Sequence, residues 1–174
     1  EYSARLAEEA GETEAAKGYS KKARVLRRSL ARLYWSRERK AFLKYRPGSD
    51  RRPKGVSPNL VGQHENFLFS LLGVGTKEQR DQAFRAIAGA TGRYLPSLGD
   101  YQDVYRPTGM DQLGDWKKQA IFGNVMGSDE LVRIGSPFWS YYALLALMES
   151  GRVDAALEYM RLCWGLMLEF GATT

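Results

Sequence analysis

Between Phe138 and Met148 the chain carries no charged residue, so a helix there is apolar on almost every side. Such a helix must be buried all round, whereas a helix with one apolar stripe sits at a surface. A stripe of the second kind follows directly. After Gly151, a segment from about Val153 to Glu169 puts Val153, Leu157, Met160, Trp164 and Met167 or Leu168 on one side. The same order occurs earlier. Ser57-Pro58 offers a capping hydroxyl before a first-turn proline, and the segment runs through the nearly apolar Phe67 to Leu72 before Gly73 stops it. Thr76 to Gln79 then reads as a capping box that opens a helix burying Ala83, Phe84, Ile87 and Ala88. The turns at Gly73 to Gly75 and Ser150 to Arg152 are short, which implies antiparallel neighbours packed as hairpins.

Upstream, Ala15, Tyr19, Ala23, Leu26, Leu30 and Leu33 step at helical spacing after a break at Gly11, predicting an amphipathic helix that fades near Trp35-Ser36. Its opposite face holds Lys17, Lys21, Arg24, Arg28 and Arg32. Ala41 to Tyr45 suits a short strand, and the Pro-, Gly- and Arg-rich stretch 46–54 marks an exposed loop. From Gly89 to about Trp116 the periodicity disappears into a long loop rich in Tyr and Asp, and Trp116 to Met126 suits a short helix.

All-round apolar helices alternating with two-faced ones predict an all-α fold of antiparallel helical hairpins. The arrangement expected is part of an (α/α)6 toroid, with inner helices buried between outer helices and the centre. Residues 1–174 would then form a partial barrel domain, its C-terminal-side portion, incomplete at both ends. An open solenoid of stacked hairpins, serving as a helical-repeat scaffold for protein–protein interaction, fits the same pattern and is the alternative.

Composition narrows the chemistry. The 174 residues hold one cysteine, Cys163, and one histidine, His64, which leaves no internal disulfide and no cysteine-based metal site. Cys163 reads as a small core residue, and neither a metal nor a cofactor is expected. The formal charge of +6 is local: residues 1–54 hold 16 Lys and Arg against 7 Asp and Glu. Their helical stripe reads as a solvated face, and no nucleic-acid partner is expected. No apolar run approaches the ~20 residues of a bilayer-spanning helix, so no membrane partner is expected either. The sequence sets no compartment.

The final segment, Trp164-Gly165 with Met167 and Gly171-Ala172-Thr173-Thr174, resembles the six-hairpin catalytic domain of bacterial α-L-rhamnosidases. There a Trp-Gly, Met, Gly-Ala-Thr-Thr series ends an outer helix and leads to the active face. Ile134 to Phe138 is similar to that family's Gly-Thr-Pro start of an inner helix, with Ser136 in place of Thr. Gln63-His64-Glu65-Asn66 resembles another inner-helix start, and Leu33 to Ser36 with Phe42 the end of an outer helix. Cys163 before Trp164, where many relatives have Pro-Ser, is a departure, as is the irregular segment 89–116.

The resemblance implies a fragment of a glycoside hydrolase that cleaves terminal α-L-rhamnosides with inversion. Such enzymes need a carboxylic acid and a carboxylate roughly 6.5 to 9.5 Å apart. In the resembled family the base lies just beyond Gly-Ala-Thr-Thr and the acid upstream of the matched region. No catalytic residue is therefore expected in this chain, the general base falling just after Thr174, and the chain alone is expected to be inactive. Asp100, Asp103, Asp111 and Asp115 read better as turn and cap residues than as substitutes.

Four residues are candidates for contacting sugar: Gln63 and His64 near an inner-helix start, Ser136, whose cap role is the plainer reading, and Trp139. Tyr141 and Tyr142 could extend an aromatic platform with Trp139, although on an all-round apolar helix at least two of the three should be core. The partners implied are a carbohydrate substrate in the complete enzyme and the rest of the barrel, or self-association over the uncovered inner wall.

Overall fold

A computed structural model describes residues 2–52, 54, 56–89, 92–95, 131–134, 137–165 and 168, and these are mostly helical. Helix α1 (Tyr2–Glu9) turns at Gly11, whose φ of 78° lies in the left-handed region open to glycine, and packs on α2 (Thr13–Tyr34). Strands β1 (Trp35–Ser36) and β2 (Ala41–Phe42) pair antiparallel, Trp35 opposite Phe42. Strand β3 (Val61–Gly62) leads directly into α3 (Gln63–Leu71), and α4 (Lys77–Ile87) follows. Strand β4 (Leu131–Val132) precedes α5 (Pro137–Glu149) and α6 (Val153–Met160), which continues as a π-helical turn, Arg161–Gly165. No helix of the described residues is long and apolar enough to cross a membrane.

Local signals act where the sequence puts them. Thr76 Oγ1 accepts the N–H of Gln79 at 3.1 Å, and Gln79 Oε1 accepts the N–H of Thr76 at 2.9 Å, closing the capping box. Gly75 has φ of 77°, and a Cβ there would crowd the ring of Phe42. That close approach lets the turn between α3 and α4 lie on the aromatic cluster of Phe42, Trp35 and Phe69, whose rings meet edge to face.

The main core joins the two helix–turn–helix pairs α3–α4 and α5–α6. Phe67, Phe84, Tyr94 and Tyr159 interlock there with Ala143, Ala146 and Leu147. Small residues on α5 allow its approach to α3, with which it is in contact. Arg152, in the turn between α5 and α6, donates to Asp81 on α4 at 2.9 Å and lies over the ring of Phe84 at 4.3 Å.

Several expectations are corrected. The helix does not begin at Ser57-Pro58, because the Ser57 hydroxyl accepts the N–H of Asn59 in a local turn and Val61-Gly62 is drawn into strand pairing. It begins at Gln63, with Gly62 as N-cap. On α2, Tyr19, Leu26 and Leu33 are exposed, and Leu30, Ala31 and Tyr34 are the apolar side chains that pack on the cluster of Phe42, Val74 and Ala83. On α6, Val153, Leu157 and Met160 are exposed while Ala156 and Tyr159 are buried, so the core side is rotated from the apolar stripe. Cys163 is buried, and the basic side chains Lys17, Lys21, Arg24, Arg28 and Arg32 all face solvent. Residues 96–130 and Gly171 to Thr174, with the Asp loop and the helix expected at 116–126, lie outside the described residues.

Candidate functional site

The chain arrives at α3 and at α5 by paired strands. Val61 of β3 lies opposite Leu131 of β4, and Gly62 opposite Val132, in parallel register. Strand β3 runs straight into α3, and a short link carries β4 to α5. Because the strands are parallel and the helices touch, α3 and α5 start side by side at one end of the fold. Two candidate residues meet at that shared start: the rings of His64 and Trp139 lie 4.2 Å apart at 53°.

Gln63 fixes this junction. Its side chain is fully buried, its Nε2 donates to the carbonyl of Ile87 at 3.2 Å, and its Oε1 accepts the N–H of Ile134 at 3.2 Å. One amide thus ties α3 to the end of α4 and to the link before α5. The sugar-contact reading of Gln63 gives way to this structural use, since a buried amide spent on backbone partners has no surface to offer a ligand. Asn66, one turn on, is buried likewise. Its Oδ1 accepts the N–H of Phe42 at 2.9 Å, and its Nδ2 donates to the carbonyls of Phe42 and Gly62, both at 2.8 Å. The side chain therefore acts as a strand edge that holds β2 against α3.

His64 and Glu65 are placed differently. His64 Nε2 and Glu65 Oε2 are buried atoms with no hydrogen-bond partner among the described residues. Glu65 Oε1 accepts from Lys44 Nζ at 3.0 Å, and the pair is partly screened from solvent. A side chain at Gly62 would overlap Glu65 Oε2, so glycine at the helix cap leaves room for the carboxylate to fold back over it. Burial holds the His64 imidazole below its ordinary pKa of 6.5; the Glu65 charge opposes this and the Lys44 charge adds to it. The site therefore presents a neutral imidazole, a carboxylate held by a lysine, and an indole that is 38% exposed.

The aromatic cluster continues along α5. Phe138, Tyr142 and Trp139 are in mutual contact, and Tyr141 touches Tyr142. Tyr141 is exposed and Tyr142 half-buried, so the expectation that two of Trp139, Tyr141 and Tyr142 belong to the core is corrected. The core side of α5 is taken by Ser140, Ala143, Ala146 and Leu147 instead. Ser136 lies outside the described residues.

Sequence reasoning missed Lys44 and Glu65. The available signal was Glu65 at the third helical position after a glycine cap, where a carboxylate folds back toward the positive helix end. Behind the site, Ser140 Oγ is 3.2 Å from Tyr159 Oη, and Cys163 Sγ donates to Ser140 Oγ at 3.3 Å. Burial pushes the Tyr159 hydroxyl and the Cys163 thiol up. This buried trio joins α5 to α6 and the turn after it. Among the described residues no group of three His, Cys, Asp or Glu is placed to hold a metal ion.

Compared with protein-family models, with curated proteins and with solved structures, the chain gives no significant match.

Proposed function

We propose that this chain is part of an (α/α)6 glycoside hydrolase of α-L-rhamnosidase-like kind, in which α3 and α5 are inner helices and α4 and α6 outer ones. The observation that carries this reading is the meeting of His64 and Trp139 where α3 and α5 begin together. Inner helices of a two-ring barrel set out in one direction, each followed by a returning partner. The parallel pairing of β3 with β4 and the order α3–α4, α5–α6 support that arrangement.

A sugar fits the chemistry at this end. The partly exposed Trp139 indole offers apolar surface to the C–H side of a pyranose ring, while His64 Nε2 and Glu65 Oε2, buried beside it with no partner among the described residues, keep hydrogen-bonding capacity that a ring hydroxyl takes up once the covering side chains shift to admit it. Lys44 fixes the Glu65 carboxylate in place. In this reading the chain binds and orients the sugar, and the two catalytic carboxyl groups are supplied outside these residues.

The test is calorimetric titration with methyl α-L-rhamnoside. Saturable binding that Trp139→Ala abolishes supports the reading. Equal heats for the wild type and that variant, or binding of D-glucose with the same affinity, contradict it.

A further inference from the structure

Helix α2 carries its charge on one side. Lys17, Lys21, Arg24, Arg28 and Arg32 are all exposed and, at about 100° per residue, fall within an arc of roughly 80°. The row they make is about 22 Å long at about 1.5 Å per residue. Tyr19, Leu26 and Leu30 lie on the opposite side of the helix. Between Glu14 and Glu38 the chain has eight Lys and Arg and no acidic residue. Lys17 pairs with Glu14 at 2.8 Å where the row begins, whereas Lys21, Arg24, Arg28 and Arg32 make no hydrogen bond or ion pair among the described residues.

A helix face that serves only for solvation is commonly laced with acids three or four residues from each basic side chain. Here the neighbours at those distances are like charges: Lys17 with Lys21, Lys21 with Arg24, Arg24 with Arg28, and Arg28 with Arg32. Each such pair opposes the helix that holds it. The field is uncompensated within the row, and an anionic chain lying along it removes the repulsion.

We infer that this row binds an acidic polysaccharide, one carboxylate-bearing chain laid along α2. Charge complementarity requires a polyanion, and the surroundings of the row select among polyanions. The arc holds no aromatic ring on which a nucleobase could stack and no side-chain amide to read a base edge. The exposed Tyr19 and Leu26 lie on the far side, so α2 cannot insert them into a bilayer while its basic side chains touch the headgroups. Single-file charges match a linear polymer. In the proposed barrel α2 is an outer helix with its apolar side inward, which leaves the row accessible. The choice of a sugar polymer rests on the sugar reading of the α3–α5 site; the affinity for a polyanion does not.

Calorimetric titration with alginate, a linear polyuronate that contains no rhamnose, tests it. Binding is saturable at about 20 mM salt and about tenfold or more weaker at about 200 mM. Arg24→Gln combined with Arg28→Gln, both at exposed positions, weakens it about tenfold, whereas Arg24→Lys combined with Arg28→Lys stays within about twofold of the wild type. No alginate binding at low salt, equal affinity in the glutamine variant, or tighter binding of duplex DNA or of phosphatidylserine vesicles overturns the inference. Titration with methyl α-L-rhamnoside in parallel keeps the two readings apart: alginate binding without rhamnoside binding supports the row on α2 and contradicts only the α3–α5 site.

Discussion

Gln63 Oε1 accepts the backbone N–H of Ile134 although the residues lie 71 positions apart in sequence. Its Nε2 reaches the carbonyl of Ile87 from the same amide. Gln63→Leu keeps the volume and removes both bonds, leaving a buried donor and a buried acceptor unpaired. At about 1 to 3 kcal/mol for each group, partly relieved by local adjustment, the variant loses roughly 2 to 4 kcal/mol of stability. Urea denaturation measures this directly; a loss below about 0.5 kcal/mol would remove Gln63 as the tie between α3 and α5.

How much of this was legible beforehand depends on distance along the chain. The Thr76 capping box and the glycine turns at Gly11 and Gly151 are local and were readable, whereas the burial on every side expected of the uncharged α5 is corrected: Phe138, Tyr141 and Met148 are exposed, and of its described residues only Ser140, Ala143, Ala146 and Leu147 are buried. The pairing of Val61-Gly62 with Leu131-Val132 was not readable, because two-residue strands leave no periodicity and their register is set by a partner 70 residues away. Ser57-Pro58 has the residues of a helix start, yet its hydroxyl is used by a turn. Periodicity located the apolar stripes of α2 and α6 but not the part of each that is covered, since neighbouring elements decide that. For the site, His64 and Trp139 were named separately, and nothing local says that they touch. The toroid expected from helix alternation is reached only in part: the fold is mostly helical, and the ring belongs to the proposal.

The buried imidazole gives stability a pH dependence. The folded pKa of His64 lies below its unfolded value of 6.5, chiefly through burial, with Lys44 acting the same way and Glu65 against it. As pH falls below about 6.5, the unfolded chain takes up the proton first, so stability is complete above that pH and declines beneath it. The decline levels off below the folded pKa. Denaturation at about pH 8 and about pH 5.5 should show a loss for the wild type that is smaller in His64→Gln. Equal losses in the two proteins would assign the acid sensitivity elsewhere.

Cys163 should be chemically silent in the native state. Its thiol is buried, its pKa is raised by that burial, and it donates to Ser140. Reaction with an aromatic disulfide reagent needs thiolate and access, so it should follow the unfolding rate and accelerate in step with added denaturant. Labelling within seconds in native buffer would show that the Ser140–Tyr159–Cys163 contact opens independently of the fold.

Glu65→Gln separates charge from shape at the proposed sugar site. The amide keeps the size of the side chain but loses the ion pair with Lys44 and one strong acceptor. Affinity for methyl α-L-rhamnoside should fall by about tenfold, the loss expected for one charge-assisted hydrogen bond. Unchanged affinity would leave Trp139 and His64 as the contacts and exclude Glu65.

The most direct measurement is amide chemical-shift mapping of the isotope-labelled protein during titration with methyl α-L-rhamnoside. Saturable shifts should concentrate at Gly62, His64 and Glu65 on one segment and at Trp139 and Ser140 on the other, with the helix α2 resonances unmoved. Shifts confined to α2, or no saturable shift at the shared start of α3 and α5, would contradict a sugar site there.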